Sequence, residues 1–292
     1  MKILWIADYG IHHNIGGAQR TNHFIIEEGL SQGLDIQTFY FDSDPKILNG
    51  HYDCVVSNNL EAISQRRPEV FNYIVNHPYH VRYEHDSNSY LTKDARELLF
   101  GSAKISIFLS KFHRDTFIKE YGDIFTFPDV VTSPIDTSIF YDRKEEREDK
   151  ILNAGLMHTL KGTGKFFEYV LMNPEKQFVM ASWGDAKWEN TAKSFRNVEW
   201  LGKVDFNEMP NLYNKYTTMY YKPLKFEPFC RAVGEALLCG MNVEGSDNIG
   251  ALHDYNEYGL EGLKQMCNDA PKLFWNKTAG ALQRGMTFSI SP

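Results

Sequence analysis

Two glutamates eight positions apart, Glu227 and Glu235, frame the most chemically loaded stretch of the chain, Tyr221 to Gly240. At about 100° per residue, eight positions leave two helical side chains within roughly 80° of each other. Both carboxylates can then face one cleft if the turn ahead of the helix folds back. Between them, the backbone N–H groups of Phe229, Cys230 and Arg231 fall at a helix start, where partial positive charge meets an anion. A site that grips a phosphate and several sugar hydroxyls calls for this combination. Taken alone, the stretch fits equally well a capped surface helix with two unrelated glutamates.

Other residues offer related chemistry. Lys161 stands at the start of an expected helix, where a point charge with backbone donors behind it suits a diphosphate. A capping or solvated lysine is the plainer alternative. His85 is flanked by Glu84 and Asp86 just past an expected strand, a place where polar side chains reach a ligand crevice. There it can bind sugar hydroxyls, shuttle a proton, or be a satisfied loop histidine. Gly16-Gly17 lets backbone approach a phosphate or sugar, and a plain tight turn fits as well. His12 and His13 read as solvated loop residues. Arg66, Arg67, His77, His80 and Arg82, with Tyr79, Tyr83 and Tyr90, form the one local basic and aromatic cluster.

The elements that position these residues alternate between strand and helix. Lys2–Ala7 is an apolar run suited to a buried parallel strand. A polar loop (8–14), Gly16-Gly17, a helix from Ala18 to Gln32 with Phe24, Ile25 and Leu30 inward, and a strand over Asp35–Tyr40 follow. That order opens a doubly wound nucleotide-binding sheet. Strands are expected at 54–56, 80–83, 105–109 and 124–128, and helices at 69–75 and 111–121. The charged run Tyr141–Lys150 reads as an interdomain linker, because such a run cannot bury itself. The pattern then restarts: strands at 151–154, 177–181, 198–201, 218–222 and from 242, and helices at 165–172, 207–215, 259–268 and 270–282. The expected domains are 1–142 and 151–292, joined by 143–150, with the last helix free to return to the first.

Composition sets outer bounds. The chain has 292 residues, 42% hydrophobic, 24% charged and 14% aromatic, enough for a large core. Its net charge of −7 argues against nucleic-acid or membrane affinity driven by overall charge. Cys54, Cys230, Cys239 and Cys267 lack metal-type spacing and are expected to stay reduced. No secretory signal and no apolar run near 18 residues stands out, so a cytoplasmic protein without a membrane span is expected.

The motifs in order resemble the GT-B fold retaining glycosyltransferases, specifically glycosyltransferase family 4 (glycosyl transferases group 1). The carriers are Gly155…Lys161-Gly162, Val198–Val204, Met209–Tyr213, Glu227–Gly240 and Ser246–Gly250. Gly16–Arg20, His85-Asp86 and Ile135–Phe140 agree more weakly, and the likeness spans about residues 1–250. The resemblance implies an α/β chain of two Rossmann-like doubly wound domains facing a central cleft. It implies transfer of a sugar from a UDP-, GDP- or ADP-linked donor with retention and no divalent metal or other cofactor. Glu235 is then expected at the ribose. Glu227 and the Phe229–Arg231 amides, Cys230 among them, are expected at the sugar and phosphate. Lys161 would neutralise the leaving diphosphate, Gly16 and Gly17 would close over the donor, and Asn248 would lie on the donor side. His85 would touch the transferred sugar or acceptor, with Arg20, Arg82 and Asp86 on the acceptor side.

The chain departs from the family in two places. Leu156 stands where the family has Arg, so Arg231, Lys222 or Arg20 would have to supply that charge, and Cys230 replaces a common Gly. A saccharide of a surface polymer is the favoured acceptor. A phage-type enzyme acting on hydroxymethylated DNA bases, through the basic cluster, is the alternative. A non-catalytic nucleotide-sugar binding protein and a phosphorylase or epimerase are further readings.

Overall fold

The computed structural model describes residues 1–13, 16–87 and 91–288, with side chains as far as Gln283. The chain forms two compact units. One comprises Met1–Pro134 and the segment from Asn268; the other is Ile135–Cys267.

The first unit carries strands β1 (Lys2–Ile6), β2 (Asp35–Phe39), β3 (Cys54–Ser57), β4 (His80–Tyr83), β5 (Ala103–Phe108) and β6 (Pro128–Val130). They form one parallel sheet in the order β2-β1-β3-β4-β5-β6. Helices α1 (Gly17–Ser31), α2 (Glu61–Arg66), α3 (Pro68–Asn76), α4 (Lys93–Ser102) and α5 (Lys111–Tyr121) supply the crossovers. A sheet covered on both faces needs unbroken apolar strands, and Ile3, Leu4, Trp5 and Ile6 are all fully buried. The inward face of α1 is not the one the pattern suggested. Ile25, Ile26, Gly29, Thr21 and Asn22 are buried, whereas Leu30 is exposed. The expected strand at 124–128 falls at Pro128–Val130 instead, after a 3-10 turn over Gly122–Ile124.

Gly29 is small for a packing reason. A Cβ there would lie 2.7 Å from the Trp275 ring and 2.6 Å from Ile36 Cδ1. The Trp275 indole N–H donates to the Ile25 carbonyl at 2.7 Å, so this close approach fastens the C-terminal segment to α1. Gly→Ala inside a helix ordinarily gains up to about 1 kcal/mol. Here Gly29→Ala is expected to lose about 1–3 kcal/mol by overpacking, read as a lower melting temperature. A raised melting temperature would contradict the packing account.

The second unit carries β7 (Glu148–Met157), β8 (Phe178–Gly184), β9 (Val198–Trp200), β10 (Tyr216–Tyr220) and β11 (Asn242–Glu244). Its sheet is also parallel, in the order β11-β10-β7-β8-β9. Helices α6 (Thr163–Met172), α7 (Ala186–Ser194), α8 (Met209–Lys215) and α9 (Arg231–Leu238) alternate with the strands, and α10 (Gly250–Phe288) closes the chain. α10 starts at Gly250, earlier than the sequence pattern suggests, and Gly259, at φ +70°, interrupts it where the expected helix begins. Order reverses between β7 and β10, which makes their carboxyl ends the topological switch point.

The charged run 143–150 lies within the second unit, and its last three residues open β7. Pairing explains how so charged a run packs. Arg147 donates to the carbonyls of Tyr213 (2.7 Å) and Tyr216 (3.1 Å) and to Asp142 Oδ1 (3.0 Å). The boundary falls earlier, at Pro134 and Ile135, because Phe140 is already buried against Phe206 and Tyr213.

Candidate donor site at the second sheet's switch point

Three loops meet at the carboxyl end of the second sheet. The loop after β7 makes a 3-10 turn over Thr159–Lys161 and ends on Gly162 at φ +81°. A Cβ on Gly162 would sit 2.0 Å from the Lys222 carbonyl oxygen, so backbone passes backbone there and only glycine fits. Leu224 N–H donates to the Leu160 carbonyl at 3.0 Å, joining the β10–α9 loop to the β7–α6 loop. The β11–α10 loop adds the third side. Glu227 N–H donates to Asn248 O (2.7 Å), Gly250 N–H to Glu227 O (2.9 Å), and Asn248 Nδ2 to Pro223 O (3.1 Å). Asn248 therefore shapes the loop that carries Glu227.

This scaffold brings two expected residues into contact. Lys161 Nζ lies 2.7 and 2.9 Å from the two carboxylate oxygens of Glu227. The lysine side chain is 41% exposed and the glutamate 12%, so the cation faces outward over a carboxylate set beneath it. Glu235 has a different partner. It lies inside α9, 5% exposed, with Arg231 Nη2 3.2 Å from its Oε1. Arg231 is thus engaged by Glu235 through the i,i+4 spacing of the helix. Cys230, which caps α9, is held at φ +70°, and burial pushes its thiol up to about 12. Phe229 is buried against Gly234, and its carbonyl accepts Ala251 N–H at 2.8 Å.

Leu156 ends up 48% exposed. It lines a cavity of about 610 Å³ with His158, Thr159, Asp185 and Trp188. An apolar side chain therefore stands where the resemblance places a guanidinium. Lys222 extends over the Tyr220 ring, 5.3 Å from its centroid.

Tyr221 is a residue the sequence pattern read only as a strand end. Its hydroxyl donates to Glu227 Oε1 at 3.3 Å. No spacing rule flags a tyrosine there, because the contact exists only once the β10–α9 loop has turned back.

In the first unit, polar residues gather at the carboxyl ends of the strands. Gly16 caps α1 in an extended conformation (φ −100°), and Gly17 is the first residue of that helix. Arg20 sits on the first turn of α1, partly buried. His85 is 6% exposed, packed edge-on against Tyr83, and neither ring nitrogen meets a partner among the described residues. A buried polar group without a partner costs about 1–3 kcal/mol and is rarely kept without a use. Burial, then the nearby Arg82, hold the His85 imidazole down at about 3. The ring is neutral at physiological pH, offering one donor and one acceptor, which disfavours the proton shuttle as its role.

Arg82 does not face an acceptor. It is 1% exposed and bonded to Glu84 at 2.7 and 3.1 Å, in a strand whose four residues are all buried. Asp86 accepts from Asn59 Nδ2 at the rim. The basic cluster also fails to form a surface. His80 is fully buried between Ser57 Oγ (2.7 Å) and Ser102 Oγ (2.8 Å), and Tyr83 is buried too. Arg67 is bound to Glu69 and to the Phe41 carbonyl. Tyr90 lies outside the described residues. His12 and His13 are exposed turn residues, as expected, with local partners. Their rings lie 3.9 Å apart against Tyr40, with His13 Nε2 3.1 Å from Asp42.

Burial also holds the His80 ring down at about 3, with Arg82 a lesser cause. The unfolded chain then binds more protons than the folded one between about pH 6.5 and 3. Stability should fall as pH drops through that window, by up to about 1.4 kcal/mol per pH unit for each of His80 and His85. Imidazole NMR signals should show both rings neutral at pH 5. Protonation of either ring near pH 6.5 in the folded protein would contradict this.

Among the described residues, no group of three or more His, Cys, Asp or Glu side chains is placed to hold a metal ion. Within the same residues, no helix is long and apolar enough to cross a membrane.

No family model matches the sequence, and no curated protein matches it. Solved structures do. HepE from Anabaena, in complex with UDP and glucose, is similar at a TM-score of 0.67 and 15% identity, over 97% of this chain and 95% of that one. Sucrose-phosphate synthase from Thermosynechococcus elongatus gives 0.68 and 12%, over 99% and 98%. The catalytic domain of starch synthase IV from Arabidopsis thaliana, bound to ADP and acarbose, gives 0.62 and 8%, over 97% and 99%. Such identities show a shared fold, and with its two parallel, doubly wound sheets this chain has the GT-B fold of glycosyltransferases.

Proposed function

We propose that the protein is a retaining glycosyltransferase that moves a sugar from a nucleotide-sugar donor to a hydroxyl of a saccharide, without a divalent metal. The observation that carries the reading is the Lys161–Glu227 pair at the switch point of the second sheet. Open α/β sheets take ligands at that point. A cation held over a carboxylate there offers one partner to phosphate oxygens and one to sugar hydroxyls. On donor binding, Lys161 exchanges the carboxylate for the diphosphate, and Glu227 turns to the sugar. The start of α9, at Cys230 and Arg231, adds backbone donors to the phosphate.

The bond from the anomeric carbon to the diphosphate oxygen breaks, and its electron pair stays on the diphosphate. The acceptor oxygen bonds to the same face of the sugar, and its proton passes to the departing phosphate. Lys161 stabilises the charge that develops on that oxygen. A neutral His85, with donor and acceptor both unengaged within the described residues, suits a sugar hydroxyl in the first unit. UDP or ADP donors are supported by the complexes of HepE and of starch synthase IV, and a GDP donor is equally compatible with Lys161. The saccharide acceptor is preferred to DNA because most of the basic cluster that suggested DNA is buried or paired.

The test is proton NMR of UDP-glucose and ADP-glucose incubated with the protein and a chelator. Release or transfer of the sugar in its original α configuration is expected. A β-configured product, or turnover only with added metal, would overturn the reading.

A further inference from the structure

The Glu227 carboxylate is held from two sides. Lys161 approaches both oxygens from the exposed side, and the Tyr221 hydroxyl reaches Oε1 at 3.3 Å from the buried side. Tyr221 is 7% exposed, and its backbone is fixed by its own N–H to the Glu244 carbonyl at 3.0 Å. A phenol has a single proton to donate, and here it goes to Glu227.

We infer that Tyr221 is a positioning residue that keeps Glu227 aimed at the sugar after Lys161 has moved to the diphosphate. The inference rests on the transferase reading of this site. Its logic is one of exchange. Lys161 cannot neutralise a departing phosphate and fully hold Glu227 at once, and a carboxylate only 12% exposed needs a hydrogen bond that survives the exchange. Tyr221 supplies that bond from a side the donor does not occupy. Burial raises the Tyr221 hydroxyl well above its ordinary value, so it keeps its proton across the working pH range.

The test is calorimetric titration of wild type and Tyr221→Phe with UDP, ADP, UDP-glucose and ADP-glucose, with donor turnover measured alongside. In Tyr221→Phe, affinity for the bare diphosphate should stay within about twofold, while sugar-nucleotide affinity and turnover fall about tenfold, the worth of one hydrogen bond to a charge. Wild-type sugar-nucleotide affinity and turnover in Tyr221→Phe would overturn the inference. So would equal loss of both ligand types in step with the melting temperature, since that is a purely structural role. If wild type itself binds none of the four, the transferase reading fails first, and the inference with it.

Discussion

Lys161→Ala should lower donor turnover by about 10²- to 10³-fold, the usual cost of removing one preorganised group that stabilises a developing anion. The side chain is 41% exposed, so its pair with Glu227 contributes little to stability, about 0–1 kcal/mol. The melting temperature should therefore move by only a few degrees, and the loss belongs to the chemistry. Lys161→Arg keeps the charge but spreads it over a planar fork, and should recover only part of the rate. The loop geometry sharpens the expectation. Gly162 and the Leu224–Leu160 bond fix the lysine's backbone, leaving no slack for a neighbouring cation to take its place. Lys222 is turned to the Tyr220 ring, and Arg231 is bound by Glu235. Turnover within threefold of wild type would remove Lys161 from the reaction.

Glu235→Ala should behave differently, with its main effect on stability. Glu235 and Arg231 have side chains 7% and 8% exposed, and removing one partner of such a pair costs about 3–5 kcal/mol. At about 2–4 °C per kcal/mol for a protein of this size, the melting temperature should fall by roughly 6–20 °C. Nucleotide affinity should fall too if the carboxylate also meets the ribose, and one further variant separates the two effects. Replacing both members by apolar residues, Arg231→Met with Glu235→Leu, removes the uncompensated charge and should recover much of the stability. Affinity should not recover with it. A single Glu235→Ala variant that melts like wild type would show that the pair is not a structural anchor.

Much of the fold was legible because parallel strands buried on both faces leave near-continuous apolar runs, such as Ile3–Ile6. The helix α9 was readable from its apolar residues and from Gly240 at its end. The inward face of α1 was not. Gly29 and Asn22 are buried there for reasons that lie in Trp275 and Asn58, far along the chain. The charged run at 141–150 stays exposed or half-buried as its composition suggests, but Arg147, bound to the Tyr213 and Tyr216 carbonyls, ties it to the second unit, which no local pattern reveals.

The candidate site divides in the same way. Lys161 and Glu227 could be named from their motifs, but their contact depends on backbone bonds between loops that no local pattern encodes. Arg82 lies in a strand buried on both faces, and a buried arginine is tolerated there only through its bonds to Glu84, which the sequence pattern does not announce. Tyr221 went unnoticed because its role rests on the position of its hydroxyl, not on the spacing of its side chain.

The most direct test of the central claim is titration of UDP, GDP and ADP, with their glucose conjugates, into wild type and Lys161→Ala, with and without chelator. The account predicts that at least one nucleotide binds wild type unchanged by the chelator, and that Lys161→Ala slows turnover more than it weakens that binding. Binding that needs a divalent metal, or a Lys161→Ala variant with wild-type affinity and turnover, would contradict it.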